Sequence, residues 1–311
     1  MKRILSLILA AALCLSMATA LASCSKKTDY TVGICQLMKH DALDSATQGF
    51  IDALNKKMGE AGKTVEIITE VPGEANLCPT VINTFVSKGV DLIMANATPA
   101  LLSAANATKT IPVLGTSVTS YSDTFASGIP SNVSGTSDGV SFESQAQMMI
   151  DSLGLVAGDK VGVIYCSNET NSVLQYNKVK AYFEGKGVVV TAYTFSETTE
   201  LQSVSAKAAS ESKAIYVPSD NTVSANEKVV DAACTAAGVP VFTSYGGDIC
   251  YASLAIDYYQ LGYKTGEMAA EVILGNKTVA ELGNPDANIL TPTVQYNKER
   301  CTALGITVPE N

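Results

Sequence analysis

From Tyr30 onward, short β-branched runs alternate with longer stretches whose apolar residues recur every three or four positions. Thr31-Val32-Gly33-Ile34-Cys35 reads as a strand, and Leu43, Thr47, Phe50 and Leu54 then mark one face of a helix. Val65-Glu66-Ile67-Ile68 is a second strand, followed by a helix carrying Val81, Ile82, Phe85 and Val86. Asp91-Leu92-Ile93-Met94 is the third, with a helix opening near Pro99, since proline suits a first helical turn. Ile111-Pro112-Val113-Leu114 is the fourth. The order then restarts: Val161–Tyr165, a helix through Val173, Tyr176 and Val179, then Val188-Val189-Val190, Ala214–Val217, a helix with Val229, Val230 and Ala233, and Val239-Pro240-Val241-Phe242. Strands separated by helices imply βαβ crossovers and a parallel sheet. An ordered repeat of four strands predicts two similar α/β lobes, each doubly wound.

The pattern before Tyr30 is different. Lys2 and Arg3 precede an apolar run from Ile4 to Leu21, which is the order of a secretory signal. The junction Leu21-Ala22-Ser23-Cys24 resembles the lipobox of bacterial lipoproteins, in which the cysteine becomes the first mature residue and carries lipid. The competing readings are an ordinary signal cleaved nearby or an uncleaved anchor helix. The lipobox reading makes residues 1–23 the signal peptide, Cys24 the lipidation site, and 24–29 a polar tether at the cell membrane. Several acyl chains anchor stably where one is marginal.

Composition narrows the function classes. The chain has 311 residues, 47% hydrophobic and 16% charged, with a formal net charge of −9. That is enough for two modest cores, and the acidic balance argues against nucleic acid, whose phosphates would be repelled. Of eight cysteines, Cys14 leaves with the signal and Cys24 would be lipidated. The remaining Cys35, Cys78, Cys166, Cys234, Cys250 and Cys301 are scattered through apolar segments and are expected as free, buried thiols. Cys250 with Cys301 is the pair that could bridge. No CxxC or paired His/Cys spacing offers a metal site, and no motif calls for a cofactor.

Ligands of open α/β sheets bind beyond the carboxyl ends of the strands. Those ends are polar here. The first lobe offers Gln36, Asn96-Ala97-Thr98-Pro99 and Thr116-Ser117; the second offers Asn168-Glu169-Thr170-Asn171-Ser172, Ser219-Asp220-Asn221 and Thr243-Ser244-Tyr245. Such residues also cap helices and make turns, as Thr98, Asp220 and Asn221 are placed to do. The two roles are compatible, because a helix N-terminus presents free N–H groups.

At these strand ends the sequence resembles the ABC-transporter substrate-binding proteins of the tryptophan-binding lipoprotein type. The resemblance rests on Gln36 with His40-Asp41-Ala42-Leu43-Asp44, on Ala95–Ala100, on Asn132-Val133-Ser134-Gly135-Thr136-Ser137-Asp138, and on Asn168–Ser172. It continues through Val217–Asn221, Asp257-Tyr258-Tyr259-Gln260-Leu261-Gly262 and Leu304-Gly305-Ile306. It departs at Asp41, where the family usually has proline, at Ala252, where it has glycine, and at Cys35. The resemblance implies the type I periplasmic-binding-protein fold, two Rossmann-like lobes joined by three hinge strands. The chain would cross between lobes near Ala157, near Asp248 to Tyr251, and after the helix containing Met268 and Ile273. Lobe one would comprise 30–156 plus 250–284, and lobe two 157–249 plus 285–311. The implied ligand is small, with aromatic amino acids among those known, and the implied partner is an ABC permease with its ATPase.

An amino acid needs two anchors. Its carboxylate suits the donors of the Asn96–Thr98 turn and Thr116-Ser117. Its ammonium suits Asp220 or Glu169, since a charge-assisted hydrogen bond is roughly twice as strong as a neutral one. Tyr245 and Leu37 are candidate walls. The expected ligand contacts are therefore Gln36, His40, Asn96, Thr98, Thr116, Ser117, Asn168, Glu169, Ser172, Asp220, Asn221 and Tyr245. His40, the one histidine, is read as a ligand contact or a cap. The one Gly-x-Ser-x-Gly match, Gly135-Thr136-Ser137-Asp138-Gly139, overlaps a stretch that carries the resemblance to binding proteins, so the expectation is a carrier and not an enzyme. The alternatives are a receptor for a nucleoside, sugar or similar metabolite, a sensor feeding a signalling partner, and, least favoured, an exported α/β enzyme.

Overall fold

The computed structural model describes residues 28–287 and 289–309. The expected signal peptide, residues 1–23, and the expected lipidation site Cys24 lie outside these described residues. The first sheet contains β1 (Tyr30–Gln36), β2 (Val65–Glu70), β3 (Leu92–Asn96), β4 (Val113–Val118) and β5 (Val133–Ser137), all parallel, in the order β2-β1-β3-β4-β5. The second contains β6 (Lys160–Cys166), β7 (Val189–Phe195), β8 (Ala214–Val217), β9 (Val241–Thr243), β10 (Ala252–Ala255) and β11 (Thr293–Tyr296), in the order β11-β10-β9-β8-β6-β7. Its first five strands repeat the topology of the first sheet, and β11 adds one antiparallel edge.

The alternation of side chains explains why both sheets carry helices on both faces. In β1, Val32 and Ile34 pack with Phe50 and Leu54 of α1 (Asp41–Glu60), while Cys35 faces Ile82 and Phe85 of α2 (Cys78–Lys88). In β3, Leu92 and Met94 share the first face, and Ile93 and Ala95 the second, beneath α3 (Thr98–Ala107). A short α4 (Tyr121–Thr124) follows β4. Strands buried on both faces read as continuous apolar runs, as the parallel arrangement requires. The second lobe repeats this: Val161, Val163 and Tyr216 lie on one side of its sheet, and Ile164, Ile215 and Val217 on the other.

Three positions differ from the sequence reading. The strand β5 escapes it, because Val133-Ser134-Gly135-Thr136-Ser137 is almost without large apolar residues, yet all five residues are buried. Hydroxyls satisfy one another there: Thr116 Oγ1 lies 3.2 Å from Thr136 Oγ1, which lies 2.8 Å from Thr265 Oγ1. Next, the helix α5 (Phe142–Leu153) is expected in lobe one, but Ala146 and Met149 pack into the core of lobe two. The first crossing therefore falls at 138–141 and not near Ala157. Finally, Ala252–Ala255 is expected in lobe one, but it pairs with β9 in the second sheet, so the second crossing follows it at 256–257. The third falls between Leu282 and Thr293, before β11. The first two crossings are short irregular segments where hinge strands are expected.

In lobe two, α6 (Thr170–Gly185), α7 (Leu201–Glu211), α8 (Asn221–Ala225) and α9 (Glu227–Ala237) connect the parallel strands. The helix α10 (Tyr258–Ile273) then returns to lobe one, where it lies against α1. Glycines set how closely these two helices approach. A Cβ on Gly262 would collide with the carbonyl of Ala46, and one on Gly49 with the carbonyl of Tyr259. Only glycine permits this backbone contact, and it holds the starts of both helices side by side at the lobe boundary.

Candidate functional site

The carboxyl ends of both sheets face each other across a narrow cleft, with free volume of only about 10 Å³ between the closely apposed lobes. Lobe one contributes His40, Ala42, Leu43, Ser117, Asp138 and Tyr258; lobe two contributes Ser219, Asn221, Ser224 and Tyr245. The lobes touch directly. His40 Nε2 lies 3.3 Å from Asn221 Oδ1, Gln175 Nε2 donates to Thr119 Oγ1 at 3.2 Å, and Tyr245 packs against the lobe-one cluster of Ala46, Tyr258 and Leu261.

Backbone strain marks the strand ends. Ala97, just after β3, has φ of 91°, and Ser117, near the end of β4, has φ of 54°. Neither is glycine, so each conformation is held by its surroundings, as is common in ligand sites. Three buried polar atoms on the cavity wall have no partner within the protein: Ser117 Oγ, Asp138 Oδ1 and Tyr245 OH. Buried polar atoms are nearly always paired. These three atoms, from both lobes, line one cavity.

Asp138 ends β5 and is buried. Burial pushes its carboxyl up, while the Tyr258 hydroxyl, donating to Oδ2 at 2.8 Å, and the Thr119 side chain counter this. No Lys or Arg contacts Asp138 among the described residues. Asp138 is thus a carboxylate with one free oxygen and a hydroxyl partner, suited to a cation.

Of the residues expected from sequence, His40, Ser117, Asn221 and Tyr245 line the cavity. The others serve the frame around it. Gln36 donates to the Met38 carbonyl at 2.8 Å and to Asp44, fixing the turn after β1. Asn96 donates to the Leu43 carbonyl and to Thr47, tying β3 to α1. Thr98 is buried as the first residue of α3, with Ala97 as its N-cap. Thr116 belongs to the hydroxyl chain beneath β5. Leu37 is buried in the core of lobe one instead of walling the cavity. Asn168 is exposed and donates to the Ser196 carbonyl at 3.3 Å.

The two acids expected to meet an ammonium are both engaged by their own lobe. Asp220 accepts from Val223 N at 2.8 Å, as the N-cap of α8, and from Cys166 N at 2.7 Å. Burial and the neighbouring Glu169 push its carboxyl well up. Glu169, just before α6, accepts from Asn221 N and Nδ2 and from Thr222 N and Oγ1, all within 2.9 Å. Ser172, wholly buried, receives Asn171 Nδ2 at 3.4 Å. These groups build the turn that presents Asn221 and Ser219. The charged cavity residue absent from the expected contacts is Asp138. Its signal is present in Ser137-Asp138, a polar pair closing a segment at the regular strand spacing, but the strand before it lacks the apolar pattern that would place it.

The six cysteines of the described residues are all free and buried, so Cys250 and Cys301 do not bridge. No cluster of His, Cys, Asp or Glu among the described residues could hold a metal. No helix among them is long and apolar enough to cross a membrane.

Two doubly wound lobes closing on a small polar-and-aromatic cavity define a solute-binding protein. The family model described as ABC transporter substrate binding protein matches residues 31–311. A curated tyrosine-binding protein of Clostridioides difficile (strain R20291) is 34% identical over 98% of this chain and 93% of its own. The chain belongs to the ABC transporter substrate-binding proteins. Such proteins present a small ligand to a membrane permease from the extracytoplasmic side. Among solved structures, the ABC domain from Streptococcus pneumoniae in complex with L-Trp is similar at 29% identity, with a TM-score of 0.79, over 89% of this chain and 96% of that one. The ligand-free, open structure of a substrate-binding protein with adhesive properties from Clostridium difficile is 30% identical over 91% and 97%, but its TM-score is 0.66. At nearly equal identity, the chain superposes better on the liganded relative than on the open one.

Proposed function

We propose that this protein captures an aromatic L-amino acid, tyrosine or tryptophan, between its lobes and delivers it to an ABC importer while tethered to the membrane through lipid on Cys24. The observation that carries the ligand reading is the convergence of Ser117 Oγ, Asp138 Oδ1 and Tyr245 OH, three unpartnered buried groups from both lobes, on one cavity. In this reading Asp138 receives the ammonium, and Ser117, in its left-handed conformation, faces the carboxylate. The rings of Tyr245, Tyr258 and His40 with Leu43 provide the apolar wall for an aromatic side chain. The ligands of the two relatives, a tyrosine-binding protein and an L-Trp complex, support this class. The better superposition on the L-Trp complex supports closure as the capture step. In this reading the protein carries its ligand unchanged, and its membership of the substrate-binding family supports that role.

The lipid anchor is supported by Leu21-Ala22-Ser23-Cys24 after its apolar run. The ligand reading is tested by calorimetry with the twenty amino acids. L-Tyrosine or L-tryptophan should bind and raise the unfolding temperature, since ligand at 100 times Kd adds about 2.7 kcal/mol. Binding of a sugar or nucleoside with no response to either amino acid would overturn it.

A further inference from the structure

The ligand cavity does not end at its aromatic wall. Five of its ten lining residues, His40, Ala42, Ser224, Tyr245 and Tyr258, also line a groove of about 810 Å³ that opens along the boundary between the lobes. Between the apposed strand ends the free volume is about 10 Å³, room for about one water and far too little for an aromatic ring. Ser117 and Asp138, each 7% exposed, hold unpartnered oxygens at that narrow end. A ligand whose ammonium reaches Asp138 with the lobes this close has its ring between His40, Tyr245 and Tyr258. The far edge of that ring then lies in the groove.

Glu227 stands along that groove. It opens α9 and lines the groove from lobe two. A Cβ on Gly247 would lie 3.1 Å from Glu227 Oε2 and 3.6 Å from Tyr245 Cε2, so the carboxylate sits beside the Tyr245 ring. An acid in the first turn of a helix is ordinarily satisfied by the helix dipole and water. This one is half-buried, and among the described residues it makes no ion pair and its carboxylate receives no hydrogen bond. Lys39 and Lys228 line the same groove, but both are exposed and neither is paired with it. Burial pushes the Glu227 carboxyl up, and the carboxylates of Asp248, Asp41 and Asp231 add to this against Arg300. A donor arriving in the groove offsets that cost. A phenol O–H or an indole N–H is such a donor, and a phenyl ring offers none.

The geometry points to Glu227 as a specificity residue: its carboxylate accepts the ring-borne O–H or N–H of the bound amino acid, so that tyrosine and tryptophan are taken and phenylalanine is rejected. This rests on the reading of the ligand as an aromatic amino acid held by Asp138. Phenylalanine in the same pose covers the carboxylate and leaves it unpartnered, which is how a site built for a polar group excludes the analogue that lacks it. Glu227 is only half-buried, so water softens the exclusion. It should be on the order of ten- to a hundredfold, the range of one hydrogen bond to a charged group.

Calorimetry on the full-length protein tests this with L-tyrosine, L-tryptophan and L-phenylalanine, and with O-methyl-L-tyrosine and 1-methyl-L-tryptophan, which lack the donor. The wild type should prefer tyrosine and tryptophan to phenylalanine by about ten- to a hundredfold. Each methylated analogue should fall to the level of phenylalanine or below. Glu227→Ala should weaken tyrosine and tryptophan while leaving phenylalanine within about twofold, so that the preference collapses. Glu227→Gln keeps a neutral acceptor and should retain part of the preference. A ratio of ligands measured on one protein is not imitated by a general loss of stability, which separates this role from that of a first-turn acid. The proposal is overturned if phenylalanine binds the wild type within about threefold of the other two, or if Glu227→Ala weakens all three equally. If none of the three binds the wild type, the aromatic amino-acid reading itself has failed, and the role of Glu227 with it.

Discussion

His40 reaches across the cleft to Asn221, Nε2 to Oδ1, at 3.3 Å. Asn221 uses its amide nitrogen on Glu169 at 2.7 Å, so its oxygen is the end presented to His40. The Nε2 position must then carry a hydrogen. The one histidine of the chain is thus a donor between the lobes, at the mouth of the ligand cavity.

That placement gives a pH dependence. Burial lowers the His40 pKa from 6.5, opposed by Asn221, Glu169, Asp44 and Asp41. The buried, closed state therefore favours neutral imidazole. Its contribution is intact above 6.5 and is lost as pH falls below that value, where the exposed imidazole of the open or unfolded chain takes up a proton. Ligand affinity and stability should both fall on acidification from about pH 7 to about pH 5, the range in which an ordinary histidine titrates. His40→Gln, which keeps a donor toward Asn221, should flatten that part of the profile. An unchanged slope in the variant would remove His40 from the explanation.

Asp138→Asn keeps the shape of the cavity wall and removes its charge. Affinity for L-tyrosine should drop by about 1.5–3 kcal/mol, the worth of a hydrogen bond to a charged group. Calorimetry reads this directly, and an equal affinity would reassign the ammonium.

Asp220→Asn should behave differently. Both carboxylate oxygens are taken by backbone N–H groups of Cys166 and Val223, and an amide can accept only one of them. Stability should fall by about 1–2 kcal/mol, the cost of a buried donor left unpaired and a weakened cap. The fraction of protein that remains folded should bind ligand with nearly the wild-type affinity. Thermal unfolding alongside calorimetry separates the two effects.

Gly262→Ala places a methyl group against the Ala46 carbonyl. Backbone cannot move aside as a side chain can, so overpacking should cost about 1–3 kcal/mol. Because α1 and α10 begin beside His40 and at Tyr258, ligand affinity should fall with the melting temperature. A variant as stable as wild type would show that the two helices can slide apart freely.

Cys24→Ala should release the protein from the membrane fraction or stall its processing. Mass spectrometry of the mature N-terminus checks the lipid, and retention at the wild-type level with no lipid on the peptide would remove the anchor.

The repeat of strand and helix signals specified both lobes, because apolar alternation and helical spacing are properties of consecutive residues. Val32 to Cys35 and Val161 to Tyr165 bury both faces of their strands, and such runs announce themselves in sequence. The strand-end positions followed from the same repeat, and they brought His40, Ser117, Asn221 and Tyr245 into view. Tertiary structure alone decided which polar residues were left free. Asp220 and Glu169 stand at the right strand ends, but the backbone N–H groups of helices folding beside them take up their oxygens, and no local pattern records that. Asp138 was hidden because its strand is stabilised by a hydroxyl chain through Thr116, Thr136 and Thr265, residues up to 149 positions apart in sequence. The lobe boundaries were hidden for the same reason: α5 and β10 have the patterns of any helix and strand, and only the partner each found for its apolar face assigned it to a lobe.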